Sequence, residues 1–248
     1  MDLYGLIGYP LGHSFSRKFF NEKFFPENNI DAEYLNFEIP DARMLLDVVR
    51  NNPRLKGLNC TIPHKQAIIP YLDELSAQAK RIGAVNVIKI RRMGDAIHLK
   101  GYNSDIIGFK DSIRPLLQLH HQKALILGTG GASKAVREGL VDLGIKYLYV
   151  SRTPKDGMIT YADVTAELLQ EYTVIVNCSP VGMFPKVDCC PDIPYEALTP
   201  QHLLYDLIYN QEETLFMARG RECGAVTKNG MEMLRLQALA SWRFWNED

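Results

Sequence analysis

Lys123-Ala-Leu-Ile-Leu-Gly128-Thr129-Gly130-Gly131-Ala132-Ser133 joins a short apolar run to a glycine-rich turn, and apolar residues then recur at helical spacing as far as Leu143. A glycine-rich turn between a strand and a helix brings backbone N–H groups close to a pyrophosphate, and the helix N-terminus adds a partial positive charge. The segment therefore predicts a Rossmann-type dinucleotide site, in which Gly128 makes the turn and Gly130 and Gly131 admit the phosphates. The alternative is a tight strand-to-helix turn that binds no ligand.

The end of the next predicted strand, Tyr147–Val150, indicates which dinucleotide binds. NAD sites place an Asp or Glu about 20 residues beyond the glycines, where it accepts hydrogen bonds from the adenosine ribose. Here Ser151-Arg-Thr-Pro-Lys155 follows the strand and contains no acid, whereas Arg152 and Lys155 suit a 2′-phosphate. The sequence therefore favours NADP(H), although Asp156 and the simpler reading as a solvated basic turn leave an alternative open.

Strand-like and helix-like segments alternate along nearly the whole chain, which predicts an α/β protein with largely parallel sheets. A first α/β unit of residues 1–103 is joined by a returning helical segment, 231–248, and a doubly wound unit covers residues 104–230. Besides the two strands already named, the predicted strands are Leu3–Tyr9, Glu33–Ile39, Leu55–Ile62, Ala84–Ile90, Ala96–Tyr102, Thr173–Asn177 and Leu203–Ile208. Besides the helix after the glycine turn, the predicted helices are Ser14–Asn28, Leu72–Ile82, Asp105–Leu117 and Met231–Trp245, and a further helix carries Met44, Leu45, Val48 and Val49 after an N-cap at Asp41. Met93-Gly94-Asp95 predicts a hairpin turn.

Composition and charge narrow the class of protein. The 248 residues are 46% hydrophobic, and 28 basic against 29 acidic residues leave a net charge of −1, so no basic field attracts nucleic acid or anionic lipid. Five cysteines without a C-x-x-C pair suggest neither a disulfide framework nor a zinc site. With no secretory signal pattern and no membrane-length apolar run, we expect a cytoplasmic protein, a monomer or homodimer, that holds no metal and binds neither nucleic acid nor a membrane.

Polar residues stand at strand ends of the first predicted unit, where an apolar core is not expected. Alternation places Asn59 and Thr61 on one face of a strand end, with Lys65 just beyond Pro63. Asn86 interrupts an apolar strand, and Asp105 lies at the junction of the two units. Amides, hydroxyls, one lysine and one carboxylate suit a small, hydroxyl-rich, anionic ligand. Capping residues, satisfied turns and a surface lysine are the alternative for each residue alone.

Taken in order along the chain, these segments resemble the shikimate dehydrogenase family. The matching segments are Gly8-Tyr-Pro-Leu-Gly-His-Ser14-Phe-Ser16, Asn59-Cys-Thr61-Ile-Pro-His-Lys65, Gly83-Ala-Val-Asn86, Asn103-Ser-Asp105, Gly128–Ser133, Ser151-Arg-Thr153, Asn177-Cys-Ser179, Tyr205-Asp206 with Tyr209, and Gly230-Met-Glu-Met-Leu-Arg-Leu-Gln237-Ala. Each fragment is short, and their joint order and spacing make the resemblance specific. Arg17, Ile106 and Glu232 depart from the family pattern and put substrate affinity and packing in question more than the type of reaction.

The resemblance implies a role for each matched residue. Lys65 and Asp105 become the catalytic pair. Ser14 and Ser16 become the ligands of the substrate carboxylate. The residues implied to contact the rest of the substrate are Asn59, Thr61, Lys65, Asn86, Asp105, Tyr209 and Gln237. The residues implied to bind NADP are Gly128, Thr129, Gly130, Gly131, Ala132, Ser151, Arg152, Thr153, Lys155, Asn177, Ser179 and Gly230.

The implied reaction is the reversible reduction of 3-dehydroshikimate to shikimate with NADPH, in a cleft between the two units. A developing alkoxide needs a proton donor, and the ammonium of Lys65 beside Asp105 can supply it. Two alternatives remain open from the sequence. One is a dehydrogenase of broader specificity that acts on quinate, and the other is an NADPH sensor without catalytic activity.

Overall fold

The chain divides into two compact units, which are Met1–Ser104 with Ala238–Asp248, and Asp105–Gln237. This division comes from a computed structural model that describes residues 1–12 and 15–247. The sequence placed the second boundary at the start of the last helix, whereas in the structure the boundary lies inside that helix.

The first unit is built on a six-stranded mixed sheet with the order β2-β1-β3-β5-β6-β4. Its strands are β1 (Asp2–Gly8), β2 (Ala32–Glu38), β3 (Leu55–Cys60), β4 (Glu74–Leu75), β5 (Val87–Met93) and β6 (Ala96–Tyr102). β1 pairs in parallel with β2 and β3, whereas β5 is antiparallel to both of its neighbours. The predicted hairpin is confirmed, because Met93 pairs with Ala96 and Gly94 has a positive φ of 61°. Three of the five pairings in this sheet are parallel, as the sequence predicts, and the two antiparallel pairings both involve β5. The two-residue turn between β5 and β6 can connect only antiparallel strands.

Short helices connect these strands. They are α1 (Phe15–Lys18), a π-helical segment (Phe19–Phe24), α2 (Phe25–Glu27), α3 (Leu45–Asn51), α4 (His64–Ala67) and α5 (Ala77–Ile82). The predicted helix Leu72–Ile82 is wrong over its first half, where Glu74–Leu75 pairs with β6. The carboxylate of Asp73 accepts the Leu99 N–H at 2.7 Å, and the Ser76 hydroxyl caps α5 by accepting the Ala79 N–H. Tertiary pairing here outweighs local helix preference.

The second unit is built on a parallel sheet with the order β12-β11-β10-β7-β8-β9. Its strands are β7 (Lys123–Leu127), β8 (Lys146–Ser151), β9 (Met158–Thr160), β10 (Val174–Asn177), β11 (Leu203–Asp206) and β12 (Val226–Lys228). All five pairings are parallel. This order is the doubly wound Rossmann arrangement, in which strand order reverses between β7 and β10. The predicted Rossmann-type fold is confirmed.

Helices cover this sheet and lead to the end of the chain. They are α6 (Asp105–Ile113), α7 (Gly131–Asp142), α8 (Ala166–Glu171), α9 (Leu215–Glu222) and α10 (Met231–Asn246). The C-terminal part of α10 belongs to the first unit. There the indole of Trp245 lies against Gly57 of β3, where any side chain would clash with the ring. Within the described part of the chain, no helix is long and apolar enough to cross a membrane.

Candidate functional site

A cavity of about 830 Å³ opens in the second unit where the strand order of the sheet reverses. Ligands of open α/β sheets bind at this position, beyond the carboxyl ends of the strands. The cavity is lined by residues that follow β7, β8, β9 and β10 and by a loop near residue 190, namely Gly128, Thr129, Gly130, Ser151, Arg152, Thr153, Lys155, Tyr161, Cys178, Ser179, Pro180, Val181, Cys190, Pro191 and Asp192. Its volume lies within the usual range for a cofactor site, about 300–1,000 Å³.

The glycine turn forms one wall of this cavity. Gly128 has a φ of 102°, which favours glycine, and a Cβ there would come within 3.3 Å of the Cys178–Ser179 backbone, which leaves little room for a side chain. A Cβ on Gly130 or Gly131 would meet no protein atom within 4 Å. Packing therefore does not require glycine at these two positions, and the open space lies where a pyrophosphate would approach the N-terminus of α7.

The edge of the cavity beside the glycine turn is basic. Arg152 and Lys155 are exposed after β8, and the Lys155 ammonium lies 3.4 Å from the Thr129 hydroxyl of the glycine turn. Asp192 is the one carboxylate among the lining residues, and it lies outside the β8 segment. Two cations without an acid at the end of β8 fit a 2′-phosphate better than a free ribose hydroxyl. The residues present therefore fit NADP.

Tyr161 is a lining residue that the sequence did not indicate. It begins a short 3-10 turn, Tyr161–Asp163, directly after the edge strand β9. Its hydroxyl bonds to Ser179, and burial is the main reason that its pKa is raised. The three-residue strand before it was too short to detect from periodicity, so the only available signal was an aromatic residue after a turn at Gly157.

The loop after β10 is held by a buried group that we call the aspartate network, which consists of Asp206, Asn177, Ser179 and Thr214. Asp206 accepts hydrogen bonds from the Asn177 amide at 3.1 Å and the Thr214 hydroxyl at 2.8 Å. Asn177 in turn accepts the N–H and hydroxyl of Ser179, and donates to the Val181 carbonyl. Ser179 and Val181 line the cavity, so this network shapes its wall from behind.

Four residues predicted to bind the cofactor are absent from the cavity lining, namely Gly131, Ala132, Asn177 and Gly230. Asn177 is fully buried, and its polar atoms serve the aspartate network. Gly230 donates its N–H to the Ile208 carbonyl and lies too close to the Leu207 backbone for a side chain. Their contact with the cofactor stays a prediction.

In the first unit, Lys65 lies on the four-residue helix α4. Buried His64 anchors this helix through a 2.6 Å contact between its Nε2 and the Ile39 carbonyl. The Lys65 carbonyl accepts the Val85 N–H at 2.7 Å. The backbone of Lys65 is therefore fixed to the segment that carries Asn86.

Six side chains of the first unit are joined by continuous hydrogen bonds, which we call the tyrosine network: Ser16, Tyr34, Asn59, Asn86, Ser104 and Ser241. Tyr34 donates to the Asn59 Oδ1 at 2.8 Å, and the Asn59 Nδ2 reaches the Ser241 hydroxyl at 2.8 Å. Ser241 and Ser104 lie 3.2 Å apart, and Ser104 contacts both amide atoms of Asn86. Tyr34 also contacts Ser16, and burial raises the pKa of Tyr34 far above its usual value.

The tyrosine network brings together three residues that the resemblance implied, Ser16, Asn59 and Asn86. Tyr34 and Ser241 were not predicted, because an ordinary strand tyrosine and helix serine carry no sequence signal until the fold places them. Predicted Thr61 is half-buried and donates its N–H to the Ile7 carbonyl. Predicted Ser14 lies outside the described residues.

Three further predicted residues lie in the second unit. Asp105 is buried at the start of α6, and Tyr209 is exposed after β11. Gly108 lies one turn beyond Asp105 on the same face of α6, and a Cβ there would be 3.2 Å from the Cβ of Gln237 on α10. The glycine therefore allows α6 and α10 to pack closely, and it places Gln237 on the face of α6 that carries Asp105.

The histidine pair His120 and His121 has a structural explanation. Both rings contact the Gln201 carbonyl at 3.0 Å, and the His121 Nδ1 accepts the Gln118 N–H. Burial lowers the pKa of His121. Over residues 1–12 and 15–247, no group of three or more histidines, cysteines or acids has the arrangement of a metal site.

Two of the departures from the family pattern are accommodated locally. Ile106 is fully buried within α6. Glu232, in the first turn of α10, forms an ion pair with Lys228.

Comparisons with known proteins agree with this geometry. A family profile described as the shikimate dehydrogenase substrate binding domain matches residues 6–88. An NADP-dependent shikimate dehydrogenase of Clostridium beijerinckii is 37% identical, over all of this chain and 93% of the relative.

Solved structures are similar over nearly the full length as well. The shikimate dehydrogenase of Aquifex aeolicus superimposes with a TM-score of 0.85 at 33% identity, covering 100% of this chain and 93% of that one. The Thermus thermophilus shikimate 5-dehydrogenase, solved with NADP(H) and shikimate, gives a TM-score of 0.85 at 27% identity, covering 99% and 93% of the two chains.

Proposed function

This chain belongs to the shikimate dehydrogenase family, and from that premise we propose that it catalyses the reversible, NADPH-dependent reduction of 3-dehydroshikimate to shikimate. This reaction belongs to the biosynthesis of chorismate and the aromatic amino acids. The observation that carries the proposal is similarity over the whole chain to NADP-dependent shikimate dehydrogenases, combined with a cavity whose basic edge suits NADP. A relative of the same fold binds both NADP(H) and shikimate.

NADPH supplies the hydride when it is bound, and the protein has to hold the cofactor and manage one proton. The glycine turn Gly128–Gly130 and the N-terminus of α7 offer N–H groups to the pyrophosphate. Arg152 and Lys155 offer positive charge to the 2′-phosphate. These contacts orient the cofactor without taking part in bond making.

Lys65 is the proposed proton donor. When the hydride reaches the carbonyl carbon, the C=O double bond becomes a single bond and its oxygen takes a proton from the Lys65 ammonium. In the oxidation of shikimate the same lysine takes that proton back. Asp105 is the second proposed catalytic residue, assigned by the family resemblance.

The proposed substrate contacts divide by chemistry. Ser14 and Ser16 bind the carboxylate through their hydroxyls, as the resemblance implies. The residues proposed to contact the ring hydroxyls are Asn59, Thr61, Asn86, Asp105 and Gln237, with Tyr209 lining the site. Amides and hydroxyls can both donate and accept, which suits a polyol.

The first experiment measures the oxidation of shikimate by the purified protein with NADP⁺ and with NAD⁺ in separate assays. We expect turnover with NADP⁺ and a much higher KM for NAD⁺. Turnover of quinate without turnover of shikimate would reject the proposed substrate in favour of a quinate dehydrogenase.

The second experiment tests Lys65 directly. We expect Lys65→Ala to lower kcat for shikimate oxidation at least about 100-fold, the range typical of a lost proton-transfer group. Lys56→Ala, which removes an exposed lysine from β3, is the matched control and should leave kcat unchanged. Equal rates in Lys65→Ala and the parent would remove the proposed mechanism and favour the NADPH sensor.

Cytoplasmic location remains part of the proposal, supported by five cysteines that are all free thiols. A monomer or homodimer is likewise proposed, and sedimentation velocity separates the two.

A further inference from the structure

Within the tyrosine network, Asn86 is hydrogen-bonded through both its side-chain amide and its backbone carbonyl. The Asn86 Oδ1 accepts the Ser104 N–H at 2.6 Å, and its Nδ2 donates to the Ser104 hydroxyl at 3.0 Å. The Asn86 carbonyl accepts both the Cys60 N–H and the Asn59 amide, at 2.9 and 3.2 Å. Both the backbone and the side chain of Asn86 are therefore held by neighbours.

The orientation of the Asn59 amide follows from its partners. The Asn86 carbonyl can only accept, so the Nδ2 of Asn59 faces it and the Oδ1 faces Tyr34. The second hydrogen on Nδ2 goes to the Ser241 hydroxyl. Asn59 therefore uses both of its amide hydrogens inside the network and has none to donate to a ligand.

Tyr34 and Ser241 hold the two ends of Asn59. Both are fully buried, and neither carries a charge. Tyr34 comes from β2 and Ser241 from α10, so the network ties the edge of the sheet to the end of the chain. A buried hydroxyl with such partners has one satisfactory arrangement, because an unmade hydrogen bond costs more than a made one contributes.

We propose that Tyr34 and Ser241 are positioning residues that hold Asn59 and Asn86 in the orientation that the substrate requires. This inference rests on the proposed function, in which Asn59 and Asn86 contact ring hydroxyls. Tyr34 and Ser241 act through these two residues and do not touch the substrate themselves. Loss of one of them loosens Asn86 and weakens substrate binding while the cofactor cavity stays intact.

The test compares two buried tyrosines of the first unit. Tyr34→Phe deletes the hydroxyl that bonds to Asn59, and we expect the KM for shikimate to rise about fivefold, as for one lost hydrogen bond, with the KM for NADP⁺ unchanged. Tyr4→Phe is the matched control, since the Tyr4 hydroxyl contacts Asn246 outside the network. It should leave both KM values at the parent level.

A second variant reaches Asn59 from the other side. Ser241→Ala removes the acceptor of the Asn59 amide without touching Ser16, which Tyr34→Phe also affects. We expect a similar rise in the KM for shikimate. Because both changes remove a partner of Asn59, the double variant should be clearly less impaired than the product of the two single effects.

The kinetic results distinguish a failure of the positioning role from a failure of the proposed function. An unchanged KM for shikimate in both variants, equal rises for shikimate and NADP⁺, or fully multiplicative effects would overturn the positioning role while the proposed function stands. A parent protein that does not oxidise shikimate at all would overturn the proposed function, and the inference with it.

Discussion

The tyrosine network and the aspartate network both hold residues of the candidate site in place through buried hydrogen bonds, but they use different chemical groups. The tyrosine network in the first unit contains only hydroxyls and amides, whereas the aspartate network in the second unit is centred on a buried carboxylate. Neutral groups can satisfy one another without desolvating a charge. A carboxylate forms stronger, charge-assisted hydrogen bonds, but its burial opposes ionisation. The first network should therefore hold its residues equally well at any moderate pH, and the second should not.

The largest expected effect on stability comes from replacing Asn177, which forms hydrogen bonds with Asp206, Ser179 and Val181. Asn177→Ala leaves the N–H and hydroxyl of Ser179 without their acceptor and leaves Asp206 with one donor fewer. We expect the free energy of unfolding, measured in urea, to fall by about 4 kcal/mol, and the KM for NADP⁺ to rise. Asn210→Ala removes an exposed amide nearby and is the control. A loss of less than about 1 kcal/mol would show that the hydrogen bonds of Asn177 do not hold the loop after β10.

Replacing the Asp206 carboxylate is expected to have a smaller effect of opposite sign, an increase in the free energy of unfolding. The pKa of Asp206 is raised from 3.8 to about 6, chiefly because burial disfavours the charged form. Between these values the folded protein keeps a proton that the unfolded chain has released, so stability falls as the pH rises through the window and stays lower above it. Cys178 and Tyr195 face this carboxylate and add no positive charge.

Asp206→Asn removes this titration while keeping the shape of the side chain. We expect the free energy of unfolding to rise by up to about 3 kcal/mol at pH 8 and by less than about 1 kcal/mol at pH 4. Asp188→Asn, at an exposed carboxylate, should change stability little at either pH. An equal increase in the free energy of unfolding at pH 8 and pH 4 would show that the buried charge of Asp206 does not destabilise the protein.

The smallest expected effect belongs to the neutral network. Ser241→Ala should lower the free energy of unfolding by about 1.5 kcal/mol, because Asn59 and Ser104 each lose a partner. The loss should be the same at pH 5.5 and pH 8, since no member of this network titrates between them. Urea denaturation at both pH values measures it, and a pH-dependent loss would erase the contrast between the two networks.

The second unit was more predictable than the first. Lys123–Leu127 and the helix after it agree with the sequence pattern, because a buried parallel strand and an amphipathic helix each have a strong local signature. The short strands β4, β9 and β12 were not predicted, since two or three residues are too few to show a period. The helix predicted over Leu72–Ile82 failed because Glu74–Leu75 pairs with β6, a partner distant in sequence.

In the candidate site as well, residues in contiguous segments could be predicted, whereas residues that depend on distant contacts could not. The glycine turn and Arg152 could be predicted because strand, turn and helix are contiguous in the chain. Tyr34, Ser241 and Tyr161 could not, because they reach their partners only after distant elements pack. Tyr34 and Asn59 are 25 residues apart, and Asn59 and Ser241 are 182 apart.

By itself, the sequence determined the fold class, the preference for NADP and the family, since each depends on residue types at short, regular spacing. Only the tertiary structure decided which polar side chains touch a cavity and which lie behind it. Asn177 and Ser179 are two residues apart, yet Asn177 is fully buried while Ser179 lines the wall. Burial and hydrogen-bond direction depend on the packing of distant elements, and no local pattern contains that information.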